Sequence, residues 1–205
     1  MAASSPLRPR KTPRQQRATH TVEALLEAAA QVLEADGLHG YNTNAVARRA
    51  GASVGTLYQY FPGKDALTLA LLLREDRLFH DAAAATVALP GLQAALNAFI
   101  DVAVRQQLSR PNLARLLDEQ EGRPEFRAAL SGKYRFHELL AEILCKADAP
   151  ARFQDAALRR LAADDLLALM RGMIDAAGER GERDADHLAQ RIGAAVFGYL
   201  AAVPG

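Results

Sequence analysis

The sequence predicts an all-α protein: a compact N-terminal head of three helices, followed by a longer helical body. Three observations carry this. Ala and Leu dominate the 205 residues, half of which are hydrophobic, while Trp is absent and runs of Val, Ile or Thr are rare. Those choices favour helix over strand. Apolar residues recur at three- and four-residue spacing, the period of one helical face. Gly and Pro then punctuate the pattern at intervals that suit helices.

The elements follow in order. Residues 1–17 are rich in Pro, Ser, Arg and Gln and read as a flexible basic arm, with a merely solvated tail as the alternative for residues 1–10. Val22, Leu25, Leu26, Ala29, Val32 and Leu33 trace the first helix, which Thr19 or Thr21 can cap and Gly37 ends. Asn42 and Thr43 suit the cap of a short second helix, Ala45–Ala50, with Val46, Ala47 and Ala50 facing inward. Gly51 breaks it. Ser53 caps a third helix, Val54–Tyr60, and Pro62 stops it. A fourth begins at Lys64 and runs through Leu67, Ala70, Leu71 and Leu78 to about Ala85. Helices are then expected over Leu92–Leu108, over Leu113–Gln120 behind Pro111, and from Pro124 to about Lys146. Two more are expected over Phe153–Glu179 and Asp184–Ala201. The expected domains are 18–63, the head, and 64–205, the body.

Charge is unevenly placed. Residues 1–64 hold eight basic residues against four acidic ones, a net +4, leaving −3 for the remainder of a chain whose total is +1. A basic head on a mildly acidic body suits a polyanionic partner. The apolar runs are too short to span a membrane. One cysteine, Cys145, in an apolar helix beside Lys146, permits no internal disulfide, and a cytoplasmic setting is the default. The five histidines, His20, His39, His80, His137 and His187, are scattered. No H-E-x-x-H, paired E-x-x-H or phosphate-cradling glycine loop occurs, so neither an enzyme nor a bound cofactor or metal is indicated.

Two short helices joined by a turn with Gly51 are helix-turn-helix geometry, in which the second helix enters the DNA major groove. Seven residues make a rod ~10 Å long, matched to a groove ~12 Å wide. Val54, Leu57 and Phe61 should anchor that helix. Thr56, Gln59 and Tyr60 lie away from the anchor line, with Tyr58 between. Gly55 lets a groove edge approach closely. Gln can pair with adenine through two bonds, and Tyr hydroxyls reach phosphates. Lys64 places a cation at a helix start, where the macrodipole disfavours it unless a phosphate binds there; an ordinary exposed lysine is the alternative. A scaffold module using the head for protein contacts would not need that cation.

Thr43-Asn44-Ala45-Val46-Ala47, then Ala50-Gly51, Ser53, Gly55-Thr56-Leu57-Tyr58, Tyr60-Phe61 and Lys64, closely resemble the DNA-binding head of the tetracycline-repressor (TetR) family over roughly residues 19–70. The resemblance implies an all-helical homodimer with an effector pocket in the body. It implies repression of transcription, relieved by a small molecule; the fourth helix, which joins head to body, is the expected lever. By family position Thr43, Asn44, Thr56, Tyr58, Gln59, Tyr60 and Lys64 are expected DNA contacts, and Ser53 a cap, a contact or both. Two residues depart from the family's pattern. Ala52 replaces a usual Val, and Asn44 stands where a basic residue is common, which alters the bases read.

One short helix discriminates only a few base pairs, so a dimer on a two-fold operator is expected. Leu158, Leu161, Leu166, Leu167, Met170 and Ile174 form a broad apolar surface. Ile192, Ala195, Val196 and Tyr199 lie in one of two stripes on the last helix, and a helix apolar on two sides is buried on two sides. From these residues the expected dimer interface is Leu158, Leu161, Met170, Ile174, Ile192, Ala195, Val196 and Tyr199, with an intramolecular core as the alternative. Phe79, Phe99, Phe126, Tyr134, Phe136, His137, Met170 and Met173 are candidates to line a cavity for an apolar or aromatic effector, with Arg105 and His137 as polar handles; ordinary core is the alternative for each. The expected partners are operator DNA, a second copy of the chain and that effector, with no membrane.

Overall fold

The computed structural model describes residues 16–131 and 134–203. The expected arm, 1–17, falls outside them save for its last two positions. Ten α-helices and one 3₁₀ turn, with no strand, make up the described residues. The chain divides into two compact units: 1–76 with 112–130, and 77–111 with 131–205. The division falls inside the helix that starts at Lys64, after the boundary expected at residue 63, and it brings residues 112–130 to the head.

In the head unit, α1 spans Gln16–Gly40. It starts ahead of its expected cap and passes Gly37, whose φ of 63° marks a kink at the expected stop. α2 spans Thr43–Arg49 and α3 Val54–Tyr60. Asn42 caps α2, its side chain accepting the Ala45 amide at 2.9 Å, and Ser53 caps α3, accepting the Thr56 amide at 3.0 Å. Each cap satisfies one amide that the first turn leaves without a partner. α4 covers Lys64–Val87. The head core joins Leu25, Leu26, Ala29 and Leu33 of α1 with Val46, Leu57, Phe61 and Leu67. Leu113, Leu116 and Leu117 of α6 (Pro111–Glu121) and Phe126 of α7 (Pro124–Leu130) complete it. The Glu34 carboxylate accepts the Leu113 amide at 2.6 Å, which caps α6 from α1. Leu78, within α4 as expected, is 49% exposed.

The body unit is built on α5 (Leu92–Ser109), α8 (Phe136–Ile143), α9 (Ala156–Glu179) and α10 (Ala185–Ala202). α10 packs on α5 and α9, and α8 packs on α9. One helix was expected from Pro124 to Lys146, but it divides into α7 and α8. Ser131-Gly132 interrupts the sequence there with poor helix formers. Phe153, expected in the long helix, lies instead in a 3₁₀ turn, Ala151–Gln154. Asp155 then caps α9, its carboxylate accepting the Leu158 amide at 2.8 Å. Cys145 sits in the turn after α8 and is exposed, not in an apolar helix.

Candidate nucleic-acid interface

The α3 helix has two unlike sides because its apolar residues recur every three to four positions. Leu57 and Phe61 are buried in the head core, and Val54 packs against it. Tyr58 is 41% exposed, and Gln59 is exposed beside it. Tyr60 differs from expectation: it is half-buried and packs against the head core, so its ring supports the helix. Gly55 is exposed, and a Cβ there would meet only Ser53 Oγ, at 3.6 Å. The fold therefore does not itself require glycine at this position.

Hydroxyls lock the two short helices together. Thr43 Oγ1 and Tyr58 Oη lie 3.3 Å apart, joining the start of α2 to the middle of α3. Ser53 Oγ and Thr56 Oγ1 lie 2.9 Å apart at the head of α3. Asn44 is exposed on the first turn of α2. A cleft of about 450 Å³ opens beside this turn, between His20–Leu25 of α1 and Ala50–Ser53 with Thr56. His20 and Thr21 carry no local signal as its walls, because the residues meet only when α1 lies across the turn.

Lys64 is exposed at the first position of α4, its Nζ 5.1 Å from the centre of the Tyr41 ring. The next residue, Asp65, receives Arg123 in a two-pronged ion pair at 3.0 and 3.2 Å. At the other end of the turn, Arg49 Nε donates to Gln31 Oε1 at 2.8 Å, and Gln31 donates to Glu27 at 3.1 Å. Arg74, nearly buried, donates to the other oxygen of Glu27 at 3.2 Å. The polar side chains thus run from α2 across α1 to α4.

The other candidate residues separate by burial. Met170, Ile174, Ile192 and Val196 are buried within the single chain, in the body core. Each is therefore covered already within one protomer. Leu158, Ala195 and Tyr199 are partly exposed, and Leu161 is 55% exposed. Of the pocket candidates, Phe126 belongs to the head core, where Arg123 covers its ring at 4.4 Å. Arg105 is a surface residue paired with Asp186 at 3.1 Å, so it is no handle within a cavity. Phe99 and Met170 are core, while Phe136 and Met173 are partly buried against it. Phe79 and Phe136 stack at 4.5 Å, with His80 and Tyr134 against them. His137 Nε2 is buried with no hydrogen-bond partner. Among the described residues no cluster of metal-ligating side chains occurs, and no helix is long and apolar enough to cross a membrane.

Comparison with known proteins agrees with this geometry. Residues 25–71 match the family of bacterial regulatory proteins of the tetR type, and residues 91–200 match the tetracyclin repressor-like C-terminal domain. A transcriptional repressor of Streptomyces coeruleorubidus, DrrR1, is 37% identical over 68 residues, which span 33% of this chain and 25% of that protein. A TetR-like regulator of Rhodococcus sp. RHA1 superposes with a TM-score of 0.67 at 24% identity, covering 94% of this chain and 100% of that one. The fatty acid degradation regulator FadR of Bacillus halodurans gives 0.70 at 17% identity, covering 94% and 98%. FadR of Bacillus subtilis, solved with stearoyl-CoA, gives 0.68 at 18%, covering 89% and 99%. With its helix-turn-helix head and its body both matched, the chain belongs to the TetR family of transcriptional regulators, DNA-binding proteins that are not enzymes.

Proposed function

We propose that the protein is a repressor that binds a palindromic operator as a homodimer and leaves it when a small apolar molecule binds the segment 64–205. The observation that carries this reading is the division of α3: Leu57 and Phe61 hold it from within while Tyr58 and Gln59 stand outside. In this reading Gln59 and Asn44 read base edges, and Thr43, Thr56, Tyr58 and Lys64 position the backbone. Ser53 is spent on its cap, and Gly55 admits a groove edge. Tyr60 contributes support and at most its hydroxyl.

In this reading the dimer forms through the exposed members of the expected set. Leu161 is exposed and Leu158, Ala195 and Tyr199 are partly so, and Tyr199 Oη donates to Asp165 at 2.6 Å, one turn beyond Leu161. That bond brings the outer faces of α9 and α10 together as one patch. An apolar effector is supported by the aromatic body around Phe79, Phe99 and Phe136 and by the acyl-CoA held in the Bacillus subtilis relative. Cytoplasmic DNA is the fitting target.

The test is substitution at the exposed edge of α3. Gln59→Ala should reduce the preference for the cognate duplex over a scrambled one by about 1–3 kcal/mol, with binding to the scrambled duplex unchanged. Unchanged preference would overturn Gln59 as a reader.

A further inference from the structure

The geometry points to Tyr41 as the residue that positions Lys64 for phosphate contact. Tyr41 follows the kinked end of α1 and is 2% exposed. Three contacts tie it to the start of α4. Its ring lies under the Lys64 ammonium, 5.1 Å from ring centre to Nζ. Its hydroxyl is hydrogen-bonded to Thr68 Oγ1 at 3.2 Å. Thr68 Oγ1 in turn donates to the Lys64 carbonyl at 2.9 Å. One buried side chain therefore reaches both ends of Lys64: the ammonium directly, and the backbone through Thr68.

The arrangement answers a physical difficulty. A cation in the first turn of a helix is repelled by the positive end of the macrodipole. A long lysine chain also loses rotamer freedom when it is fixed on a phosphate. The negative face of an aromatic ring offsets the first cost and reduces the second, because the ammonium is already gathered before DNA arrives. Burial pushes the Tyr41 phenol above its ordinary range, which favours the neutral ring. Phenylalanine would fill the core equally well without burying a hydroxyl, and the Thr68 link gives that hydroxyl its use.

This inference rests on Lys64 being a phosphate contact, and the experiment separates the two ideas. The full chain, carrying Tyr41→Leu, Tyr41→Phe, Lys64→Ala or Tyr41→Leu with Lys64→Ala, is titrated with its selected duplex and a scrambled one between 50 and 200 mM salt. Lys64→Ala should weaken both duplexes and lower the salt slope by about one. Tyr41→Leu should weaken both by roughly two- to fivefold, Tyr41→Phe should retain most of the affinity, and Tyr41→Leu should add nothing once Lys64 is gone. An equal loss from Tyr41→Leu in both backgrounds would make Tyr41 a core residue alone and overturn the inference. If Lys64→Ala changes neither affinity nor slope, Lys64 is not a phosphate contact, and the inference falls with that reading. Should Tyr41→Leu fail to fold, the Lys64 ε-methylene protons are read by NMR in the unmodified chain. An upfield ring-current shift supports the inference, and a random-coil shift overturns it.

Discussion

Arg123 grips both carboxylate oxygens of Asp65, at 3.0 and 3.2 Å, and lies over the ring of Phe126 at 4.4 Å. These contacts fasten α6 and α7 to the head beside Lys64. Their magnitudes are unequal. Arg123 and Asp65 are both partly exposed, and an exposed pair contributes only about 0.2–1 kcal/mol even in good geometry. Phe126 is fully buried, and emptying its site costs about 3–5 kcal/mol. Chemical denaturation should therefore show Phe126→Ala as far more damaging than Asp65→Asn. The reverse order would mean that charge, not packing, holds α7.

Gly91 opens α5 with φ of 78°, and a Cβ on it would stand 3.0 Å from Asp148 Oδ2. That carboxylate accepts the Leu92 amide at 2.8 and 2.9 Å, capping α5 from the turn after α8. Gly91→Ala therefore meets both a left-handed backbone and a crowded carboxylate. It should cost about 1–3 kcal/mol in thermal or denaturant melts. Asp148→Ala, which leaves the amide without its acceptor, should cost about 1–2 kcal/mol. In the Asp148→Ala background the Gly91→Ala penalty should shrink, because the carboxylate it crowds is gone.

Gly55 separates stability from function. Nothing in the fold occupies its open side, so Gly55→Ala should stabilise α3 by up to about 1 kcal/mol through helix propensity. The added methyl nevertheless points where a groove edge is expected. Higher melting temperature with weaker operator binding is the outcome this account requires. Binding at full strength would show that the groove does not approach at Gly55.

Leu161 tests the dimer. A charge on an exposed apolar residue costs a monomer little, whereas one buried unpaired in an interface is strongly unfavourable. Leu161→Glu should leave the melting of the monomer nearly unchanged and shift sedimentation from dimer to monomer. A variant that remains fully dimeric would move the interface away from the outer faces of α9 and α10.

Local signals made the head legible in the sequence. Ser53 and Pro62 bounded α3 correctly because capping and ring closure act within one turn. Leu57 and Phe61 fell on the inner side because periodicity is local too. Residues that meet from afar were not legible. Phe126 reads like any phenylalanine in a body helix, yet α6 and α7 return to the head, where Glu34 and Asp65 receive them. Met170 and Ile192 sit on faces apolar enough for an interface, but the single chain already buries them in the body core. Arg105 found Asp186 at the surface, a pairing 81 positions apart that no spacing reveals. Tyr41 carried no signal beyond being aromatic, since its bearing on Lys64 appears only when the residue after α1 meets the start of α4.

The most direct test of the central claim is selection of bound duplexes from a random DNA pool with the full chain. An inverted repeat should be recovered, its half-sites one helical turn or a multiple apart, and binding should fall with Gln59→Ala. Recovery of unrelated sequences without two-fold symmetry would contradict the account.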